Sequence, residues 1–279
     1  MPELLQIIFI NQMGLNHLEN NLRLNLLEPI NVLLKFFLMN FKSLSLLVLI
    51  INLKLLFAQN ELNFSQDLLM GKEDSKLFNN SVGLLSETAA AFEKMKIAAQ
   101  KAGFKIEIVS AYRSFNRQKD IWNRKYRSNE IKGFSPDENI KKIIEYSTLP
   151  GTSRHHWGTD VDIIDGSIPR QGDVLITEKF HGDGPYAALR VWMEENASQF
   201  GFLRPYSMDS ERKGFKYEPW HYSYAPLAIP MLKAYLNLDL NLLLVPDNLE
   251  GREYITPLFI KKYIDQNILG ISSSLKPYN

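Results

Sequence analysis

Ser153-Arg154-His155-His156-Trp157-Gly158-Thr159-Asp160-Val161-Asp162 sets two imidazoles and two carboxylates within one short run. Further along, Glu218-Pro219-Trp220-His221 pairs the same two chemistries again. The chain holds only five histidines, His17, His155, His156, His181 and His221, and three of them fall in these two segments. Two imidazoles and one carboxylate form the ligand set of a catalytic zinc, which keeps a position open for water. Such a zinc lowers the pKa of water towards neutrality, and a further carboxylate nearby would accept the proton. Spacing alone leaves another reading open, in which His155 and His156 line a loop and His221 is a satisfied core residue. Geometry also sets a condition. Residues 218 and 221 are three apart and would point to opposite faces of a regular strand. Pro219-Trp220 must therefore bend or bulge the strand, or Glu218 must stand at its edge. His155 and Asp162 raise the same question, and there Gly158 offers the break.

The flanking sequence reads as a mixture of helices and strands. Leu85, Ala89, Phe92, Met95 and Ala99 recur at spacings of three and four, which predicts a helix over Leu84–Ala102 that Gly103 stops. Lys105–Tyr112 alternates as a strand, with Ile106, Ile108 and Ser110 on one face. Phe115–Arg127 is a second helix. Ser135-Pro136-Asp137-Glu138 supplies a cap, a proline at the first helical position and a glutamate at the third, opening a helix to about Tyr146. Leu149-Pro150-Gly151-Thr152 is a loop. Val161–Ile164 and Tyr217–Tyr224 read as strands, and Pro185–Phe200, Ala225–Leu236 and Pro257–Asn267 as helices. The elements mix without regular βαβ alternation, which predicts an α+β fold.

Composition narrows the functional classes. The 279 residues are 45% hydrophobic and 23% charged, as in ordinary globular proteins. Lys+Arg (32) and Asp+Glu (31) nearly cancel, so no whole-molecule field draws the chain to nucleic acid or anionic membranes. With no cysteine, disulfides, thiolate metal sites and cysteine nucleophiles are excluded. The first 58 residues are a different material. Leu44–Phe57 is almost wholly apolar, broken by Asn52 and Lys54, preceded by Met39-Asn40-Phe41-Lys42 and followed by Ala58-Gln59. That pattern reads as a secretory signal peptide over 39–59, with an uncleaved N-terminal anchor as the other reading, and the run falls short of the roughly 20 residues a bilayer span needs. Residues 1–38 then read as lying upstream of the true start at Met39. Residues 60–279 are expected to form a single domain with a C-terminal helical extension and a motif core over 84–224. Export of this cysteine-free chain is consistent with a bacterial periplasm or cell surface, and no stable membrane span is expected after signal cleavage.

Ser153-x-His155-x-x-Gly158-x-x-x-Asp162 resembles the S-x-H-x-x-G-x-x-x-D signature of the LAS zinc peptidases, and Glu218-x-Trp220-His221 resembles their E-x-W-H signature. This group includes D-alanyl-D-alanine carboxypeptidases and shares the hedgehog/DD-peptidase fold. Ser110-Ala111-Tyr112-Arg113-Ser114 with Gln118 resembles the group's Y-R-S…Q substrate segment, in the right order along the chain. The resemblance implies a small antiparallel sheet flanked by helices with zinc in a cleft on the sheet. It further implies one Zn2+ per chain held by His155, Asp162 and His221, with Glu218 as catalytic base. Arg113 would bind the substrate's terminal carboxylate or the developing oxyanion, and Gln118 and Ser153 would make polar substrate contacts. Asp160 departs from the pattern, which usually has a small or apolar residue there; it would support a ligand or compete as one. His156 is expected to point away from the metal, Trp220 to pack, and His181 to sit in a solvated loop. The implied partners are peptidoglycan stem peptides, cut at the terminal D-Ala-D-Ala amide by a monomer. An L,D-carboxypeptidase, a wall endopeptidase and a non-catalytic wall-binding module on the same fold are the alternatives.

Overall fold

Asp160–Asp165 is buried along its whole length, as expected of a strand covered on both faces. In the computed structural model, which describes residues 64–73, 78 and 82–277, it lies inside a four-stranded sheet. The expected upstream piece and signal segment, 1–59, lie outside the described residues. The described elements in chain order are α1 (Gln66–Leu69), α2 (Ser86–Lys101), β1 (Ile106–Ser110), α3 (Phe115–Ile131), α4 (Pro136–Ile143), β2 (Asp160–Asp165), α5 (Ala187–Asn196), β3 (Phe202–Leu203), β4 (His221–Tyr224), α6 (Ala225–Tyr235), α7 (Leu240–Leu243) and α8 (Pro257–Tyr263). The strand order is β1-β2-β4-β3, and each neighbouring pair runs antiparallel. The fold is therefore α+β with a small antiparallel sheet flanked by helices.

The sheet has two unlike faces. Val161 and Ile163 of β2 and Tyr222 of β4 pack with Phe92, Met95, Ala99, Leu189, Met193 and Phe202 in one apolar cluster under α2 and α5. Alternate positions face the other way. In the β2–β4 register Asp160 pairs with Ser223 and Asp162 with His221, so four polar side chains share that second face. A larger cluster, with Trp122, Trp157, Tyr235, Ile260, Tyr263 and Leu275, draws α3 and the C-terminal helices together. Among the described residues no helix is long and apolar enough to cross a membrane.

Several boundaries differ from those the sequence predicts. α3 continues to Ile131, because nothing breaks the helix before Gly133, which takes φ 84°. α4 has the expected capping box on Ser135 and Glu138 but ends at Ile143. β3 is two residues long, too short to carry a period. The strand expected over Tyr217–Tyr224 begins only at His221. β1 is not a plain alternation either: its register with β2 shifts between Ile108 and Ser110. Ile108 lies opposite Ile163, whereas Ser110 lies opposite Asp162. The shift carries Ser110 to the polar face, as an extra residue in a bulge does.

Candidate metal and substrate site

His155 comes from a 3-10 turn, Arg154–Trp157, whose four side chains are all buried. The turn ends at Gly158, with φ 65° and ψ 24°, a left-handed conformation that side-chain-bearing residues adopt at a cost. A Cβ there would lie 2.3 Å from Phe78 Cε1, so glycine is required for space as well. The reversal lets residues 155 and 162 meet, although they are seven apart. On the other strand the break is a turn: the His221 N–H reaches the Glu218 carbonyl at 3.3 Å. Glu218 thus stands outside the strand and its side chain folds back onto His221.

One donor atom each from His155, Asp162 and His221 lies within 4.8 Å of the others, and all three residues are buried. His155 Nε2 is 3.3 Å from Asp162 Oδ2, and His221 Nδ1 is 3.7 Å from Asp162 Oδ1. Each imidazole is held by its far nitrogen. His155 Nδ1 contacts the Ala111 carbonyl at 2.8 Å, which makes Nδ1 the donor and leaves the Nε2 lone pair free. His221 Nε2 contacts Asp160 Oδ1 at 3.0 Å, which turns Nδ1 towards the cluster. Tyr206 packs edge-on against the His221 ring, with centroids 5.1 Å apart. Asp162 Oδ1 is buried without a hydrogen-bond partner among the described residues, an expensive arrangement unless a cation takes it. Burial pushes Asp162 upward, but His155, His221 and Arg113 outweigh it and hold the carboxyl below its usual range. Burial pushes His221 downward, yet hydrogen bonds to Asp160 and Glu218 and the charge of Asp162 raise it to about 10. This face therefore attracts positive charge strongly, and the two-imidazole, one-carboxylate set fits a zinc ion.

Glu218 Oε2 lies 2.9 Å from His221 Nδ1, beside the nitrogen a metal would take. Arg113 follows β1 as expected. Its Nη2 donates to Ser110 Oγ at 3.0 Å and its Nη1 to Gln118 Oε1 at 2.9 Å, and Nη2 lies 3.8 Å from Asp162 Oδ2. Arg113, Ser153, His155, Asp162, Glu218 and His221 line one cavity of about 460 Å³. Ser153 is buried on its wall. Gln118 is placed differently from the expected substrate contact: it is fully buried and outside the cavity lining. Its Nε2 donates to the Thr148 carbonyl at 2.8 Å while its oxygen holds Arg113, so both ends of its amide serve to fix the arginine.

His156 points away from the group formed by His155, Asp162 and His221. Its Nδ1 meets the Arg113 carbonyl at 2.5 Å, and its Nε2 accepts the Gly151 N–H at 3.0 Å. Trp220 packs with Ile164, Phe180 and Tyr186. Trp157 belongs to the core, its indole donating to Leu69 O at 3.1 Å. His181 is a half-buried loop residue whose Nε2 lies 3.2 Å from Tyr217 Oη, away from the cavity lining. Sequence reasoning missed Lys125, which lines the same cavity and bonds to Ser147 Oγ at 2.6 Å. Burial and the nearby Arg113 charge lower its pKa. No motif in the sequence marks it; the packing of α3 brings it to the cavity. Asp160 lies behind His221, in contact with its Nε2, and outside the group of three.

The family model VanY, described as D-alanyl-D-alanine carboxypeptidase, matches residues 81–227. A D-alanyl-D-alanine carboxypeptidase of Enterococcus faecalis is 30% identical over 128 residues, covering 46% of this chain and 42% of the relative. The protein YodJ of Bacillus subtilis is 33% identical over 139 residues, covering 50% of this chain and 45% of the relative. The chain thus spans less than half the length of these two curated relatives. Among solved structures, VanYB with D-alanine-D-alanine gives a TM-score of 0.46 at 26% identity, covering 66% of this chain and 90% of that one. VanY from a VanB-type resistance cassette with Zn(II) gives 0.44 at 26% identity, covering 63% and 87%.

Proposed function

This chain belongs to the VanY family of D-alanyl-D-alanine carboxypeptidases, and from that premise we propose that it hydrolyses the terminal D-Ala-D-Ala amide of peptidoglycan stem peptides outside the cytoplasm. The observation that carries the reading is the convergence of His155, Asp162 and His221 within 4.8 Å, with Glu218 at 2.9 Å from His221 Nδ1. His155 through Nε2, His221 through Nδ1 and Asp162 through its unpartnered oxygen would hold one zinc ion. When bound, zinc supplies Lewis acidity and makes water a stronger acid. Glu218 takes the proton of the attacking water and returns it to the leaving amine. The amide C–N bond breaks, a new carboxyl group forms on the shortened peptide, and D-alanine leaves. Arg113, clamped by Ser110 and Gln118, presents a guanidinium suited to a bidentate hold on the terminal carboxylate. Lys125 adds a second positive charge to the cavity wall, and Ser153 a hydroxyl. Export by way of residues 39–59 would bring the chain to the peptidoglycan.

Digestion of purified muropeptides, with and without a chelator and followed by mass analysis, tests the reading. Loss of one terminal alanine, abolished by the chelator and restored by zinc, is the expected outcome. The same peptide amidated at its C-terminus should resist. Equal cleavage of acid and amide would replace carboxypeptidase by endopeptidase, and no cleavage at all would favour a binding module.

A further inference from the structure

We propose that Arg154 and Asp160 are positioning residues for the metal: a buried ion pair that grips His221 by Nε2 and so presents Nδ1 to the ion. The inference rests on the reading of His221 as a ligand. Asp160 is fully buried and Arg154 almost so. Every contact of the Asp160 carboxylate is a donor. Oδ1 receives Arg154 Nε at 3.0 Å and lies 3.0 Å from His221 Nε2. Oδ2 accepts from Thr159 Oγ1 at 2.6 Å and from Ser223 Oγ at 3.0 Å. The Ser223 hydroxyl in turn accepts from Arg154 Nη2 at 2.5 Å. An ionised carboxylate only accepts, so His221 Nε2 is held as a donor to Asp160, and Nδ1, which faces Glu218 Oε2 at 2.9 Å, is the nitrogen left to exchange its proton for a metal.

The strand register makes this hold rigid. Asp162 lies opposite His221 and Asp160 opposite Ser223, so the ligand pair and its support occupy successive rungs of one face. A buried ion pair is weak evidence for stability, since apolar replacement is often neutral. Orientation of a ligand by a carboxylate behind it is an established use, and its loss typically weakens metal binding 10–100-fold. The signature that this segment resembles usually carries a small or apolar residue where Asp160 stands, so the resemblance itself does not imply the grip.

Two variants and one spectrum test it. Zinc affinity would be measured by chelator competition for the unaltered chain, for Asp160→Asn, and for the charge-balanced double variant Arg154→Met/Asp160→Ala. Folding would be checked by circular dichroism of the metal-free proteins. A loss of about 10–100-fold in affinity is expected in both variants. The double variant guards against misfolding of the single one, in which Arg154 is left unpaired. Nitrogen-15 histidine spectra of the unaltered, zinc-loaded chain should place the His221 proton on Nε2, and the double variant should lose its protected signal. Unchanged affinity in the folded double variant, or a His221 proton on Nδ1, overturns the proposal. Should the unaltered chain take up no zinc, the metal reading itself falls and the proposal with it.

Discussion

Glu218 and His221 illustrate what single residues decide. Both belong to one short motif, yet only one enters the strand; the other turns back to lie 2.9 Å from its neighbour's Nδ1. A carboxylate there is placed to move a proton and is not needed to complete the three-ligand set. Glu218→Gln keeps the size and the hydrogen bonding but removes the basicity. The variant is expected to bind zinc as the parent does while kcat falls about 10²–10⁴-fold. Metal analysis alongside stopped-time assays on a D-Ala-D-Ala peptide checks both halves, and near-normal turnover with full zinc would remove Glu218 from the chemistry. Scarce histidine paired with carboxylates marked the two segments in the sequence, while the roles of Glu218 and His221 came from the resemblance to the zinc-peptidase signatures. The supporting roles were legible in neither. Gln118 looked like a substrate contact, whereas its amide is consumed between Arg113 and Thr148. Lys125 carried no motif at all, and only the packing of α3 brings it to the cavity.

At the scale of elements, the 3-10 turn Arg154–Trp157 distributes its side chains among separate tasks: an ion pair, a proposed ligand, a latch and a core ring. His156 is the latch. It joins the Arg113 carbonyl to the Gly151 N–H, tying the loop after β1 to the loop after α4. Accepting from Gly151 requires a bare Nε2, so the folded state needs the neutral ring. Burial accordingly lowers its pKa from 6.5 to about 3. A depressed folded pKa means that the unfolded chain binds the extra proton between those two values. The stabilisation is complete above pH 6.5 and is lost as the pH falls towards 3. At pH 4.5 the loss amounts to about 3 kcal/mol. Urea unfolding of the metal-free chain and of His156→Gln at pH 7 and 4.5 measures it. The variant should be less stable at pH 7 but lose about 3 kcal/mol less on acidification. A pH dependence identical to the parent's would contradict the neutral latch. α2 was legible because its apolar period is local and Gly103 stops it, and the start of α4 because its capping box is local. The turn at residues 217–220 and the β1 register shift were not, since tertiary pairing with β2 sets both.

Two apolar clusters support the sheet and its loops, one under α2 and α5 and one drawing α3 and the C-terminal helices together. The family match covers 81–227 and includes every proposed metal ligand, yet the chain beyond it is not peripheral to their support. Tyr235 Oη donates to the Gly151 carbonyl at 2.7 Å, and Tyr263 Oη accepts the Leu149 N–H at 3.1 Å and meets Thr152 Oγ1 at 3.0 Å. Both tyrosines thus brace the loop that leads into Ser153. On the far side Trp122 Nε1 donates to the Glu250 carbonyl at 3.0 Å, tying α3 to the same C-terminal segment. Ile255, Ile260, Tyr263, Ile268, Ile271 and Leu275 are all buried. At about 1.5–3 kcal/mol for each large apolar side chain, their removal would cost as much as the roughly 5–15 kcal/mol that holds a typical domain together. Truncation after Leu249 is therefore expected to abolish the cooperative unfolding transition and the zinc uptake together, even though every residue of the three motifs remains. Calorimetry and chelator competition on the shortened chain measure the two effects. A truncated chain that still melted cooperatively and bound zinc would show that 225–249 suffices to close the core behind the loop. The C-terminal helices would then be an appendage to the site's support.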